Sequence, residues 1–484
     1  MERTVRTLTA ALAACAALLA AAAPASADPP ACPPGAACGT LVVPLDRGAP
    51  LLGTTTVGYA LVPRRDAARA PAGTIVPNPG GPGYAADYDV AQLDELFGTL
   101  RDDHDVLLVD PRGVGRSTRL DCGLPADPLL SPAQFKAATG ACGRTLGARA
   151  NAYGSAAVAD DLDAVRAHLG IARLDLFGES YGSFLFSVYA RRHPSRVASL
   201  VLSGAYPIAF DPLGRDRAAA LRRAIDLVCS RSGGRCSGPL VRADLSRLTL
   251  ALRARPLDVD VDGTPIRLDE ESLAGAVYFA WAAPEILGML PGLLRAANAG
   301  RPEPLAELVA LVRQTTIDEF QDGGPVSFAL NVATSCRDYP ALWSRSAPLW
   351  LRRAQYATAL GAAGTSAFLP FAPQVWVDTV GEGGDWCIEW PDVPGGESPL
   401  AGASRPALPV LAINGDLDVN TPSSAARQAA AQFTGARFLE VPNVGHTPGN
   451  DASGCSMAIV RSFIRTHAVG DTSCMAQIPP IEVG

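Results

Sequence analysis

"LDLFGESYGSFLFSVYARRHP", Leu174 to Pro194, sets an apolar run directly before Gly178-Glu179-Ser180-Tyr181-Gly182 and an apolar-periodic stretch directly after it. The short run Leu174–Phe177 reads as a buried strand, and Tyr181–Arg192 reads as a helix. A serine therefore stands at a strand-to-helix corner, flanked by glycines two residues away on each side. Small residues there permit a turn so tight that the backbone crowds itself. Such a corner projects the Ser180 hydroxyl above the edge of a sheet, at the start of the helix.

A serine hydroxyl is a poor nucleophile at neutral pH. It needs a base, and the base needs an orienting carboxylate. On a sheet of this kind the partners follow in the order Ser, Asp or Glu, His. The chain has five histidines. His104 and His168 precede the serine, His193 ends the corner helix, and His467 ends the last long helix. His446, in "VPNVGHTPG", follows a strand candidate in a Gly-rich loop and is the candidate base. "VLAINGDLDVNTP", Val410 to Pro422, offers Asp416 and Asp418. Asp418 stands before the turn that leads into the next helix and is the candidate carboxylate. Asp416 reads as a loop-shaping residue. Acyl transfer also needs donors for an oxyanion. "VPNPGGPGYA", Val76 to Ala85, follows a strand candidate, and the backbone N–H groups of Gly81 and Tyr181 are the candidates.

Outward from this corner, strand and helix signals alternate. Strands are expected at Thr40–Leu45, Thr56–Val62, Thr74–Val76, Val106–Val109, Leu174–Phe177, Ser199–Leu202, Val410–Ile413 and Arg437–Val441. Several are unbroken apolar runs, the mark of parallel strands covered on both faces. Helices are expected at Ala156–Leu169, Ser423–Phe433 and Gly454–His467, among others. The fold class is α/β, with a mostly parallel sheet. Between residues 206 and 404 strand signals fade and helical patterns such as Arg215–Cys229 and Pro302–Arg313 take over. This segment is expected to be a mostly helical cap, dividing the core into 28–205 and 405–484. All six tryptophans lie in it, as the cap's own core or as the lining of a pocket beneath it.

Residues 1–27 read as a cleaved secretory signal: two arginines, an Ala/Leu-rich run from Leu8 to Ala23, then an A-x-A pattern ending at Ala27. Cys15 lies in a lipoprotein-like box, but the apolar stretch before it is too short for that use. The chain is therefore expected to be secreted, without stable membrane association. Of eleven cysteines, ten remain after the leader, as expected of a disulfide framework. Their spacing makes neighbour pairing the expectation: Cys32–Cys38, Cys122–Cys142, Cys229–Cys236, Cys336–Cys387 and Cys455–Cys474. No C-x-x-C occurs and the histidines are scattered, so neither metal nor cofactor is expected. The net charge is −7, with one lysine and no Lys/Arg run, which excludes nucleic acid as a natural partner. A hydrophobic fraction of 48% in 484 residues is ample for a large core, and a monomer is expected.

Together these motifs carry a resemblance. "NPGGPG" is similar to the HGGPG oxyanion motif of prolyl iminopeptidases, with Asn78-Pro79 departing from the usual His. "DVLLVDPRGVGRS", Asp105 to Ser117, resembles their D-x-R-G-x-G-x-S turn, and "GESYG", "DLDVNTP" and "GHT" match their three triad neighbourhoods. Over Cys38 to Cys474 the chain most resembles the secreted tripeptidyl aminopeptidases, with "NVATSCRDYP" and "DWCIEWP" similar to segments of that family. The resemblance implies an α/β-hydrolase fold with a large cap. It implies a serine exopeptidase that releases short peptides, often tripeptides, from free N-termini. A bound ammonium needs a carboxylate, and Glu179 and Asp338 are the candidates. A secreted carboxylesterase or lipase on the same triad is the alternative. A non-catalytic envelope binding protein is a remoter one, since such proteins usually lose a triad member.

Overall fold

The computed structural model describes residues 30–125, 130–319, 326–381 and 384–484. The expected leader and Cys15 lie outside the described residues. The chain forms β1 (Ala37–Pro44), β2 (Thr54–Val62), β3 (Gly73–Asn78), β4 (His104–Val109), β5 (Leu174–Glu179) and β6 (Val197–Ser203). A separate hairpin of β7 (Leu257–Val261) and β8 (Thr264–Leu268) follows, then β9 (Val410–Gly415) and β10 (Arg437–Val441). Eight strands make one sheet in the order β1-β2-β4-β3-β5-β6-β9-β10. β1 pairs antiparallel with β2, and β2 with β4. Every pair from β4 to β10 is parallel.

The helices are α1 (Val90–Phe97), α2 (Pro132–Leu146), α3 (Ser155–His168) and α4 (Tyr181–Arg192) in the first part of the chain. Between β6 and β9 come α5 (Arg215–Arg231), α6 (Gly238–Ala254), α7 (Glu270–Tyr278), α8 (Glu285–Asn298), α9 (Glu303–Glu319), α10 (Phe328–Asp338), α11 (Leu349–Ala363) and α12 (Pro373–Val380). Last are α13 (Ser423–Ala431) and α14 (Cys455–Thr466). Among the described residues no helix is long and apolar enough to cross a membrane.

Strand periodicity explains the apolar runs. In β9, Val410 and Ala412 pack on one face with residues of α3, α4 and α13. Leu411 and Ile413 pack on the other with residues of α1 and α14. Both faces are covered, so no polar alternation is needed. The segment between β6 and β9 builds a third core from Leu221, Leu245, Leu273, Leu290 and Trp376. Leu417 and Val419, from the loop after β9, are buried in that same core. The five disulfides join the expected neighbours.

Two features of the inserted segment depart from the sequence reading. β7 and β8 interrupt its helices. Asp262 and Gly263 turn the hairpin with φ of 50° and 83°, and an Asp-Gly between alternating residues is the signal that could have revealed it. The tryptophans also divide. Trp376 packs in the segment's own core. Trp386 and Trp390 instead pack with Leu45, Val114 and Leu146 from the first part of the chain. Trp350 is exposed.

Candidate active site

Ser180 sits between β5 and α4 with φ 52° and ψ −125°, a left-handed conformation that a non-glycine residue adopts only where its surroundings enforce it. The crowding is measurable at the flanking glycines. A Cβ on Gly178 would stand 2.4 Å from the Gly182 carbonyl oxygen, and one on Gly182 would stand 2.5 Å from that of Asn78. Both obstacles are backbone and cannot swing aside. Gly178→Ala and Gly182→Ala are each expected to destabilise the fold by ~1–3 kcal/mol, the usual scale of overpacking. Calorimetry would show this as a lowered Tm.

The loop after β9 brings Asp418 to His446. His446 Nδ1 lies 3.0 Å from Asp418 Oδ2. The backbone N–H groups of Asn420 and Thr421 each donate to Asp418 Oδ1 at 2.8 Å, and Thr421 Oγ1 donates to Oδ2 at 2.6 Å. These donors fix the carboxylate's position. Asp416 does different work. It accepts from the Asn443 backbone N–H at 2.8 Å and from Arg231 at 2.6 Å, so it ties the loop to β10 and α5. Helix α5 also grips the Asp418 loop directly, through Arg217 Nε donating to the Asn420 carbonyl at 2.6 Å.

His446 is 3% exposed. The edge of Trp281 meets its ring at 5.4 Å. The Asn420 side-chain amide lies 3.4 Å from Nε2, while its Oδ1 accepts from Tyr278 at 2.8 Å. An amide that donates to Nε2 requires a lone pair there, which leaves the proton on Nδ1, facing Asp418. That is the tautomer a general base needs. Among the described residues no hydrogen bond joins Ser180 Oγ to Nε2. Such bonds commonly tighten only when substrate is present. Among the same residues the backbone N–H groups of Gly81 and Tyr181 have no hydrogen-bond partner within the protein.

Glu179 adjoins the serine, and its Oε1 lies 3.1 Å from where a Cβ on Gly449 would stand. Burial pushes its carboxyl up to about 7, with His446 pulling the other way. Among the described residues the Tyr88 hydroxyl is buried without a partner, its ionisation suppressed by burial and by the charge of Glu179. Asp338 is placed differently. Its Oδ2 accepts from the Ser155 backbone N–H at 2.5 Å, at the start of α3, and among the described residues its buried Oδ1 has no partner. Burial raises its pKa.

The family described as alpha/beta hydrolase fold matches residues 73–254, and the family described as TAP-like protein matches 372–474. The chain belongs to the TAP-like α/β-hydrolase family. This TAP-like hydrolase is 25% identical to the serine protease Hip1 of Mycobacterium tuberculosis, over 91% of this chain and 86% of that protein. It is 28% identical to the tripeptidyl aminopeptidase of Streptomyces lividans, over 34% of each chain. Among solved structures it is similar to a thermophilic esterase from Thermogutta terrifontis, at 14% identity and a TM-score of 0.38, covering 89% of this chain and 99% of that one. The TAP-like hydrolase is a serine hydrolase. Thr421, Asn420, Trp281 and Tyr88 were not singled out from the sequence of this hydrolase. Thr421 and Asn420 stand within "DLDVNTP" and were within reach as capping residues beside a carboxylate. Trp281 was one of six tryptophans readable as core or pocket lining, and Tyr88 carries no sequence signal; only folding brings the two to the site.

Proposed function

We propose that this hydrolase is a secreted serine exopeptidase that removes short peptides, tripeptides foremost, from free N-termini. The observation that carries the reading is the His446–Asp418 pair, Nδ1 to Oδ2 at 3.0 Å. Ser180 Oγ attacks the scissile carbonyl while His446 Nε2 takes its proton. Asp418 stabilises the imidazolium, and the Gly81 and Tyr181 N–H groups receive the oxyanion. His446 then passes the proton to the leaving amine. Water hydrolyses the acyl-enzyme by the same steps in reverse order. Relatives named as a serine protease and a tripeptidyl aminopeptidase support a peptide substrate. Five disulfides fit an oxidising compartment outside the cytosol.

The buried carboxyl of Glu179 is the first choice to receive the substrate ammonium, because it adjoins the nucleophile. Asp338, with one unpaired oxygen, is the second. An ammonium taken out of water needs such a partner. An N-acetylated tripeptide p-nitroanilide is therefore expected to lose most of its kcat/KM relative to the free peptide. The ratio of the two should also depend on pH. Below about 7 Glu179 is protonated and has no charge to offer. Above about 8 the peptide amine itself is neutral. The preference for the free amine should peak between these limits. Equal rates for the two peptides would overturn the exopeptidase reading in favour of an esterase.

A further inference from the structure

The segments "SCRDYP" and "DWCIEWP" meet at the Cys336–Cys387 disulfide, and there they enclose a cavity of about 180 Å3. Neither Ser180, Glu179, Asp418 nor His446 lines it. The volume is more than ten times the ~10–15 Å3 that one water needs.

Its wall is rich in cations. Arg337, Arg345 and Arg352 all line it. Their hydrogen bonds run to backbone carbonyls: Arg337 to Gly396, Arg345 to Cys336 and Tyr339, and Arg352 to Arg345, Ala347, Ile388 and Trp390. A carbonyl offers a dipole and no countercharge. Among the described residues none of the three forms an ion pair with a carboxylate. Burial and the neighbouring Arg337 charge hold Arg345 below the ordinary arginine range. Three carboxylates stand nearby: Asp392 on the wall, the buried Asp338 behind it, and Asp46, whose Oδ2 accepts from the Gly396 backbone N–H at 3.0 Å beside the lining Gly395. None of them pairs directly with the three guanidiniums among the described residues, and burial favours the neutral form of Asp338.

The rings of Trp386 and Trp390 complete the wall, and the two residues are only 7% and 4% exposed. A wall that carries three guanidiniums held only by carbonyls suits a ligand that accepts hydrogen bonds and brings negative charge.

We propose that this cavity binds a small oxyanion, a carboxylate or a phosphate, with Arg337, Arg345 and Arg352 as its countercharge. The site stands apart from the peptidase chemistry and does not depend on it. The test titrates the purified protein with sodium phosphate and, separately, with sodium benzoate, at constant ionic strength in chloride. Tryptophan fluorescence and Tm are followed together. Saturable 1:1 binding of at least one probe is expected. Phosphate alone marks a phosphate site, and benzoate alone marks a carboxylate site with an apolar body. Arg337→Gln should weaken binding about tenfold or more, the scale of one charge-assisted hydrogen bond. Trp390→Phe, which keeps an aromatic wall and all three arginines, should bind nearly as the parent does, and near-native circular dichroism of both variants would certify the fold. Protein inactivated by a fluorophosphonate should bind as before. The proposal is overturned if neither probe saturates below about 10 mM, if Tm rises linearly and equally in the variants, or if inactivation abolishes binding.

Discussion

Ser180→Ala is expected to abolish covalent labelling by a fluorophosphonate and to cut kcat by roughly 10⁶-fold. The expectation rests on position. Ser180 is held at φ 52° on a turn whose flanking glycines have no room for a Cβ. Strain of that kind persists only where the surrounding structure enforces it. The residual rate should remain above that of water, because binding and the oxyanion donors survive the change. His446→Ala should fall about as far, since members of a triad act as a unit. Intact-mass spectrometry after labelling gives the first readout and single-turnover kinetics the second. Label retained by Ser180→Ala would refute the assignment of the nucleophile.

Asp418→Asn is expected to lower kcat by about 10⁴-fold while KM changes little. Asparagine presents an N–H where the carboxylate presented a lone pair, so His446 is pushed toward the tautomer with its proton on Nε2. That tautomer cannot take the serine proton. The effect should be confined to Asp418. Asp416 makes its contacts to Asn443 and Arg231, and none of its hydrogen bonds reaches His446. Asp416→Asn should lower Tm more than kcat. It leaves Arg231 without its charge partner and loosens the attachment of the loop to β10 and α5. The opposite order of kinetic losses would move the carboxylate role to Asp416.

Much of this was legible along the chain. All eight strands of the sheet were expected from the sequence, several of them as short unbroken apolar runs, because both faces of a parallel sheet are covered and such strands need no polar alternation. The corner at Ser180 was legible because its requirement is local: a turn that crowds its own backbone needs glycine at fixed offsets. The neighbour pairing of the cysteines was legible from export and spacing. Only the tertiary structure decided the rest, and the reason is the same each time. The contacts are made by residues far apart in sequence, whose types say nothing of their partners. Asp418 was preferred to Asp416 from its place before the turn, but the partners that separate the two, Arg231 for one and His446 for the other, come from the fold. Leu417 and Val419 bury the loop in the core of the inserted segment, which no local pattern announces. Trp281 reaches His446 from that segment, while Trp386 and Trp390 leave it to pack on the first part of the chain. The cluster of arginines around the Cys336–Cys387 disulfide is likewise invisible in sequence, since Arg337, Arg345 and Arg352 gain their meaning only when the fold places them on one wall and leaves their charge uncompensated by any ion pair.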